Sequence, residues 1–384
     1  MRPASARLTL GYMARRQGTA KAAARRVLIY RLGSLGDMVV ALPALHLVER
    51  AFPNAERRLL TNVPVSSKAA PAEGVLGGSG LVQGFVRYPL GTRSVWHLAR
   101  LWWTLVRWRP QVVVYLAGAR GVAVARRDAR FFRLFGARRL VGVPLTEAMQ
   151  QNTYGAERAA GYVAGLFEVD LEPEAARLVR CLAELGEADV EEPASWDLRL
   201  SDVEREAAAS AIGEDALRLR PIAVSVGTKV QAKDWGRDNW RALLARVAEQ
   251  SPGRALLLVG AGEEADASEF AAGGWRERGG GPVVNLCGRL SPRESAAALA
   301  RAEIFLGHDS GPMHLAAAVG TPCVAVFAAR NLPRQWFPVG RQHRVVYHCV
   351  ECAGCGLETC IEQGKKCLVS IGVEEVFGVV SSKL

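Results

Sequence analysis

The chain has 384 residues, of which 49% are hydrophobic, and it carries a formal net charge of +11 at pH 7. One ordinary core does not organise a chain of this length, so we expect two domains of moderate size with well-filled cores. No apolar run is long enough to span a bilayer and no signal-peptide pattern opens the chain, so we exclude an integral membrane protein and expect the chain to stay in the cytoplasm.

The positive charge is concentrated in two segments. Residues 1–26 contain seven basic side chains and no acidic one, and residues 87–139 contain twelve arginines and a single acid, Asp128. Because the rest of the chain is net acidic, this distribution excludes a general nucleic-acid binder and indicates one domain that faces an anionic surface or acceptor. A solvated, arginine-rich face is the alternative, but it explains the missing acids less easily. Residues 1–25 lack periodicity, and we predict a mobile basic tail whose role stays open.

The first folded unit is predicted to be a strand, a loop and a helix. VLIYRL is a buried-strand pattern, and helical periodicity follows from Met38. The loop between them carries Gly33, Ser34, Gly36 and Asp37, at a spacing that differs from the dinucleotide fingerprint, so NAD binding is not predicted. Asp37 is open to two interpretations: a helix cap, or a functional carboxylate at the carboxyl end of the first strand, where open α/β sheets bind ligands. The residues alone favour the cap.

The following segments predict further strands and a helix that contains both tryptophan and arginine. Pro43 predicts a kink at residues 39–41, RRLLTNV and LVQGFVRYPL indicate strands with a loop between them, and QVVVYLAGARG indicates another strand. The segment SVWHLARLWWTLVRWRP mixes tryptophan with arginine at helical spacing. It fits either a membrane-surface helix or an ordinary helix packed on a sheet, and we favour the second for most of its length, with the charged edge free to meet lipid.

A second domain is predicted to begin after an acidic run that contains Pro193. This run separates a domain at 26–195 from a domain at 196–384. Strand patterns then alternate with helices, one of which opens on a capping box from Ser291 to Glu294. Since the first half alternates similarly, we predict an α/β fold with two doubly wound parallel-sheet domains and a cleft between their strand ends.

Residues 305–327 predict a strand, a tight turn, a short helix and a second strand. Ser310 suits the helix cap, Pro312 the first turn, and Gly320 the end of the helix. A helix that begins at the carboxyl end of a parallel strand directs unpaired N–H groups outward and is suited to bind phosphate. The alternative is that Ser310 only caps the helix and His314 only packs against the core.

Three strand ends of the second domain carry polar residues that are expected to converge. They are Thr228 and Lys233 on the first, Glu264 on the second, and Asp309, Ser310, Gly311 and His314 on the last. A lysine beside a helix N-terminus can hold a diphosphate, and an acid after the next strand suits ribose hydroxyls. This pattern predicts a nucleotide-diphosphate site with no Asp-x-Asp metal pair, although a solvated loop lysine is the commoner role of a residue such as Lys233.

Four motifs in order make the chain resemble glycosyltransferase family 9, the heptosyltransferase-like enzymes. They are RLGSLGDMVVALPAL, KDWGRDNWRAL, VGAGEE and GHDSGPMHLAAAVGTPCVAVF, and the resemblance spans about residue 26 to the C-terminus. The resemblance implies a GT-B fold, in which two Rossmann-like domains hold the acceptor and the nucleotide sugar. It also implies inverting sugar transfer without a divalent metal or other cofactor, and a closing helix that returns toward the first domain.

The resemblance also implies roles for individual residues. Asp37 looks like the general base, Lys233 like the ligand of the donor phosphate, and Glu264 like the ribose contact, for which Glu263 is an alternative. The implied donor is most often ADP-heptose, and the implied acceptor is an anionic, lipid-anchored oligosaccharide such as the inner core of lipopolysaccharide. The protein would then be cytoplasmic and peripheral to the inner face of the membrane, where the basic first domain meets anionic lipid.

The C-terminal segment 349–367 contains five cysteines. Cys349, Cys352, Cys355 and Cys360 have spacings that suit zinc or an iron–sulfur cluster, with Cys367 following. The alternatives are reduced thiols that pack a compact loop, which we favour, or disulfides formed after isolation.

Two other functions stay open at this stage. One is a membrane-peripheral nucleotide-binding protein that recruits partners and has no transferase activity, and the other is a GT-B epimerase or related hydrolase. The presence of Asp37 and Lys233 together favours the transferase. The identity of the sugar donor, the acceptor and its linkage, and the oligomeric state are not determined by these motifs.

Overall fold

The computed structural model describes residues 24–63, 70–89, 91–92, 94–150 and 171–384. The predicted basic tail lies almost entirely outside these ranges. Within them the chain forms two parallel sheets, each covered by helices, and this confirms the predicted α/β architecture. No helix in the described ranges is long and apolar enough to cross a bilayer.

The first domain is built on a five-stranded sheet in the order β3-β2-β1-β4-β5, with every pairing parallel. The strands are β1 (Arg26–Tyr30), β2 (Glu56–Asn62), β3 (Gly84–Tyr88), β4 (Val112–Tyr115) and β5 (Arg139–Val141). The helices are α1 (Leu35–Val40), α2 (Leu42–Ala51), α3 (Glu73–Leu76), α4 (Val95–Trp108), α5 (Val122–Leu134), α6 (Glu147–Gln150) and α7 (Glu174–Cys181). The chain passes from β1 to β2 on one side and returns to β4 on the other, so the loop after β1 opens at a topological switch point.

Helices cover both faces of this first sheet. Side chains of β1 alternate between the two faces: Val27 and Ile29 join the core under α1, α2 and α7, whereas Leu28 and Tyr30 join the core under α4 and α5. Pro43 lies at the start of α2, and the predicted kink is observed as a break between α1 and α2 at residue 41. The segment around residues 73–76, predicted to be a loop, instead forms the short helix α3.

Helix α4 confirms the predicted helix but not its predicted packing. Only Leu101, Leu105 and Trp108 are buried against the sheet. Trp96 and Trp103 extend into solvent, with 83% and 66% of their surface exposed. The interpretation as an ordinary packed helix with only a charged edge in solvent is therefore wrong, because the sheet takes up just one narrow face.

The second domain is built on a six-stranded parallel sheet in the order β11-β10-β9-β6-β7-β8. The strands are β6 (Ile222–Ser225), β7 (Leu256–Leu258), β8 (Val283–Asn285), β9 (Ile304–His308), β10 (Cys323–Phe327) and β11 (Arg344–Tyr347). The helices are α8 (Asp202–Ile212), α9 (Glu214–Arg218), α10 (Arg237–Gln250), α11 (Ala265–Glu277), α12 (Pro292–Leu299), α13 (Gly311–Ala318), α14 (Lys366–Val369) and α15 (Val373–Ser381). Strand β11 was not predicted, because it is a short edge strand flanked by loop residues.

The C-terminal helix α15 stays with the second domain. Arg246 of α10 pairs with Glu374, and the Gln250 side chain donates to Ser381 Oγ at 2.5 Å. The implication that this helix returns toward the first domain is therefore wrong for this chain.

The two domains touch through helices α1 and α13 and through the buried Arg293 of α12. Arg293 Nη1 donates to the carbonyl of Val75 in the first domain at 3.1 Å and to that of Leu198 at 2.9 Å. Its guanidinium also bonds the Glu204 carboxylate. A buried arginine with all these partners holds the two domains and the connecting segment in one arrangement. The boundary at 195/196 stays a prediction.

Candidate active site

A cavity of about 560 Å³ lies between the domains at the carboxyl ends of both sheets. Nearly all of the predicted site residues line it, namely Ser34, Gly36 and Asp37 from the first domain and Thr228, Lys233, Glu264, Asp309, Ser310, Gly311 and His314 from the second. Gly33 does not line the cavity. Its φ is +128°, and a Cβ at this position would lie only 2.2 Å from Asp37 Cγ, so this glycine leaves space for the carboxylate of Asp37.

Asp37 lies in the first turn of α1, where its carboxylate stabilises the helix start and is also exposed to the cavity. The prediction of Asp37 as the N-cap residue is wrong, because Ser34 is the N-cap and its backbone N–H donates to Asp37 Oδ2 at 2.8 Å, which makes Asp37 the third helical residue of a capping box. Asp37 Oδ1 is 3.8 Å from Arg31 Nη2, and 31% of the side chain is exposed toward the cavity. The carboxylate is therefore held by one oxygen while it remains accessible.

Arg31 fixes the backbone under this carboxylate, and sequence reasoning missed it. The residue is 1% exposed, and its Nε and Nη2 donate to the carbonyl of Asp37 at 3.1 and 2.9 Å. Its Nη1 donates to the Leu116 carbonyl at 2.7 Å and lies 3.6 Å from Glu174 Oε1. An arginine that directly follows a buried strand was the available signal, since a buried cation requires partners.

Lys233 forms an ion pair across the cavity wall. Its Nζ is 2.6 Å from Asp309 Oδ2 and donates to the Asp309 carbonyl at 3.2 Å, so the interpretation as a solvated loop lysine is wrong. Burial tends to raise the pKa of Asp309, but the charges of Lys233 and His314 outweigh it and hold that pKa well below its usual value. Asp309 is therefore ionised, and it holds the ammonium group of Lys233 at the carboxyl end of β9.

His308 accounts for Trp235, the tryptophan that lies two residues after Lys233. Its Nε2 accepts from the backbone N–H of Trp235 at 3.0 Å and from Trp240 Nε1 at 3.1 Å. Trp235 Nε1 in turn donates to the Ile371 carbonyl at 3.0 Å. A ring nitrogen that accepts two N–H groups is unprotonated, and burial lowers the pKa of His308 to about 4. The neutral ring thereby fixes the loop that carries Lys233.

We expect this histidine to make the stability of the protein depend on pH. The pKa of His308 is lowered from 6.5 to about 4 by burial, so the unfolded chain binds the proton more readily. Its contribution is present above about pH 6.5 and is lost as the pH falls toward about 4. Thermal unfolding of the wild type and of His308→Gln, followed between pH 7 and 4.5, should give a steeper loss in the wild type. Equal slopes would contradict the neutral buried ring.

The N-termini of α1 and α13 pack against each other beside the cavity. A Cβ on Gly36 would lie 2.9 Å from His314 Cδ2, and one on Gly311 would lie 2.9 Å from Leu35 Cδ2. Only glycine allows the two helix starts to approach this closely. Ser310 is the N-cap residue of α13, but its Oγ makes no cap hydrogen bond and has no partner within the described part of the chain, so the predicted side-chain cap is wrong. Because Asp37 already occupies the first turn of α1, the helix end at the cavity that favours an anion is that of α13, which has no acidic residue in its first turn.

Glu264, rather than Glu263, lines the cavity. Its Oε2 accepts from the backbone N–H of Ala261 at 2.8 Å. Gly227 and Gly260 lie so close that a Cβ on either would approach the carboxylate to 2.5 Å or less. Glu263 is exposed and does not line the cavity, so of the two acids only Glu264 borders it, and its role as the ribose contact stays a prediction.

Lys229, Arg330 and Asn331 also line the cavity and were not predicted. Desolvation by the cavity walls lowers the pKa of Lys229, with the carboxylates of Asp37 and Glu264 acting in the opposite direction. Arg330 Nε donates to the Leu357 carbonyl at 2.7 Å, which holds its side chain toward the cysteine segment. These residues lie in loops without periodicity, so the sequence offered no pattern to identify them.

The cysteine segment packs against the loop of Lys233. The Cys360 backbone N–H donates to Gln231 Oε1 at 2.9 Å, and Lys365 Nζ donates to the Asp234 carbonyl at 2.8 Å. In the part of the chain that the structure describes, no group of three or more His, Cys, Asp or Glu side chains is placed to hold a metal ion. Cys355 is exposed and Cys349, Cys352, Cys360 and Cys367 are partly buried, and the role of these cysteines stays a prediction.

Two parallel-sheet domains with a cleft between the carboxyl ends of their strands form the GT-B fold. A sequence profile described as glycosyltransferase family 9 (heptosyltransferase) matches residues 167–366, just over half of the chain. The chain belongs to glycosyltransferase family 9.

Individual relatives are distant. The chain is 29% identical over 142 residues to lipopolysaccharide heptosyltransferase 3 of Escherichia coli, a match that covers 36% of this chain and 37% of that protein. It spans about a third of the length of the curated relatives it matches. The fold is shared with solved structures. A family 9 glycosyl transferase from Veillonella parvula has TM-score 0.66 and 17% identity, and the match covers 93% of this chain and 96% of that one. The E. coli heptosyltransferase WaaC with ADP-2-deoxy-2-fluoro heptose has TM-score 0.59 and 18% identity, and the match covers 94% of this chain and 100% of that one.

Proposed function

We propose that this protein is an inverting glycosyltransferase that moves a heptose from ADP-heptose to a hydroxyl of an anionic, lipid-linked oligosaccharide such as the inner core of lipopolysaccharide. The observation that carries the proposal is the arrangement of Asp37 on the first domain and the Lys233–Asp309 pair with the α13 N-terminus on the second, all in one cavity. Carboxylate and cations on opposite walls match a reaction in which a proton leaves the acceptor while negative charge develops on a leaving group.

The reaction is a single displacement at the anomeric carbon. Asp37 accepts the proton of the acceptor hydroxyl as its oxygen bonds the sugar, and the bond from the sugar to the diphosphate breaks with its electron pair on the phosphate oxygen. Lys233 and the first-turn N–H groups of α13 stabilise the charge on that oxygen. Glu264, after the neighbouring strand, suits the ribose hydroxyls of the donor.

Positive charge from protein groups is proposed to take the place of a divalent metal. Lys233 and the N-terminus of α13 would supply it to the leaving diphosphate. We expect transfer to proceed at an unchanged rate after treatment with EDTA and dialysis, and added Mg²⁺ to raise it by less than about twofold. Loss of activity on chelation, with recovery on adding back a single metal, would contradict metal-independent transfer.

The donor class is tested first by nucleotide binding. The solved WaaC neighbour carries an ADP-linked heptose analogue, which supports an ADP donor here. Among ADP, UDP, GDP and CMP, we expect ADP to raise the unfolding temperature most, because only a ligand of the folded state shifts it. A preference for UDP or GDP would replace the donor and keep the mechanism. No response to any nucleotide would count against the transferase and favour a partner-recruiting protein.

The acceptor and the location follow from the charge of the first domain. Residues 87–139 carry twelve arginines and one acid, which suits an acceptor that bears phosphate or carboxylate groups on an anionic membrane. We therefore propose a cytoplasmic protein that acts at the inner face of the cytoplasmic membrane. Transfer of heptose to a purified, heptose-deficient lipopolysaccharide core, followed by mass spectrometry, tests the acceptor directly.

A further inference from the structure

The outer face of helix α4 carries a stripe of alternating tryptophan and arginine. Trp96, Arg100, Trp103 and Arg107 follow one another at spacings of four, three and four residues, so they lie on one side of the helix. All four residues are exposed. Because the opposite side of α4 is the one packed on the sheet, this stripe has no partner within the described residues of the domain.

Helix α5 extends this stripe into a broader basic surface. The Trp102 ring lies 4.6 Å from that of Phe135, at the end of α5, so the two helices are in contact at this point. Arg126 and Arg130 of α5 are also exposed. The acid of this segment, Asp128, is buried and pairs with Arg120 at 2.6 Å and with Arg127 at 3.0 Å. We call the stripe together with Arg126 and Arg130 the Trp–Arg surface.

We propose that the Trp–Arg surface docks the protein on a bilayer that contains anionic phospholipid. Tryptophan prefers the boundary between head groups and acyl chains, and arginine binds lipid phosphates. Helix α4 has 14 residues, so it is about 21 Å long and shorter than the hydrocarbon core of about 30 Å. It would therefore lie along the interface. A second copy of the chain fits less well, since a two-fold contact through this surface brings arginine against arginine.

The Trp–Arg surface begins at the edge of the first sheet where the cavity lies, so membrane docking would affect the position of the cavity. Tyr88 ends β3, and its hydroxyl lies 3.0 Å from that of Tyr30 at the end of β1, the strand that leads to Asp37. Helix α4 begins soon after β3, at Val95, so the Trp96 end of the stripe lies at the same edge of the first sheet as the cavity. Docking would bring this edge to the membrane, where a lipid-linked acceptor is found. That consequence rests on the proposed function, whereas docking itself needs neither donor nor catalysis.

Vesicle flotation of the full-length chain without nucleotide tests the proposal. Vesicles of phosphatidylcholine with phosphatidylglycerol should carry the protein, and vesicles of phosphatidylcholine alone should carry far less. We expect the double variants W96S/W103S and R100Q/R107Q each to weaken binding about tenfold or more, and salt to affect the arginine variant less than the wild type. Val203→Ser, which removes an equally exposed apolar side chain from the second domain, is the matched control and should bind as the wild type does.

Two results would overturn the docking proposal, and a nucleotide-binding control separates it from the proposed function. Unchanged binding by both double variants, with unfolding temperatures like that of the wild type, would overturn the proposal and assign lipid binding to the basic residues 1–26. Loss of a dimer in sedimentation velocity, without loss of vesicle binding, would overturn it in favour of a second copy. Nucleotide-induced stabilisation of both variants should equal that of the wild type, so a failure of docking is distinguishable from a failure of the proposed transferase.

Discussion

Replacement of Asp37 by asparagine is expected to lower kcat for sugar transfer by about a thousandfold and to leave nucleotide binding unchanged. A positioned general base contributes roughly 10²- to 10⁴-fold, and the amide cannot accept the proton of the acceptor hydroxyl. Single-turnover transfer with ADP-heptose measures the first effect. Thermal shift with ADP measures the second, because the α13 side of the cavity is unaltered.

Asparagine is the informative substitution because Asp37 also closes a capping box. An amide oxygen still accepts from the Ser34 backbone N–H, which is bonded at 2.8 Å in the wild type, so α1 should remain intact. Glu294→Gln makes the same change in the capping box of α12, where the Glu294 side chain does not line the cavity, and should keep full activity. A variant at Asp37 with activity within about threefold of the wild type would exclude this carboxylate as the base.

Replacement of Lys233 by alanine is expected to abolish stabilisation by ADP and to lower kcat/KM for the donor by about a hundredfold or more. The lysine supplies charge where the leaving diphosphate develops it, and removal of one such group commonly costs roughly 10²- to 10³-fold. Isothermal titration with ADP and initial rates at several donor concentrations separate binding from the chemical step. Lys366→Ala, which removes an exposed lysine paired with Glu351, is the matched control and should change neither.

The same variant should also alter the pH dependence of stability, through Asp309. In the wild type, Lys233 and His314 hold the pKa of Asp309 below its usual value, which stabilises the fold above the unfolded pKa and is lost only as the pH falls through the lowered value. Without Lys233 that pKa rises, because burial still favours the neutral acid and the paired charge is gone, so the variant should regain stability relative to the wild type as the pH is lowered from about 7 to 3. The double variant K233A/D309N should remove this difference and stay inactive. A constant difference across that range would show that the pair is not coupled as described.

Much of the architecture could be predicted from local pattern. Buried apolar runs such as residues 27–30 alternate with amphipathic helices, and this periodicity alone indicates parallel sheets with crossover helices. Asp37, Lys233 and the turn at residues 309–311 were also found, because each directly follows or lies close to a strand and the carboxyl ends of parallel strands meet at one edge. Edge and loop features such as β11 were missed, since a short strand of four residues carries too little pattern.

Partners across long sequence separations were beyond the reach of the sequence. The choice of Glu264 over Glu263, the pairing of Lys233 with Asp309, and the contact of Arg31 with the Asp37 backbone depend on where loops fold back. The sequence by itself determined the two α/β domains and the residue types available at their strand ends, because backbone geometry and hydrophobic period are local. Only the tertiary structure decided which helix face the sheet leaves open and which charges meet in the cavity, because burial and electrostatic pairing depend on distances between segments far apart in the chain.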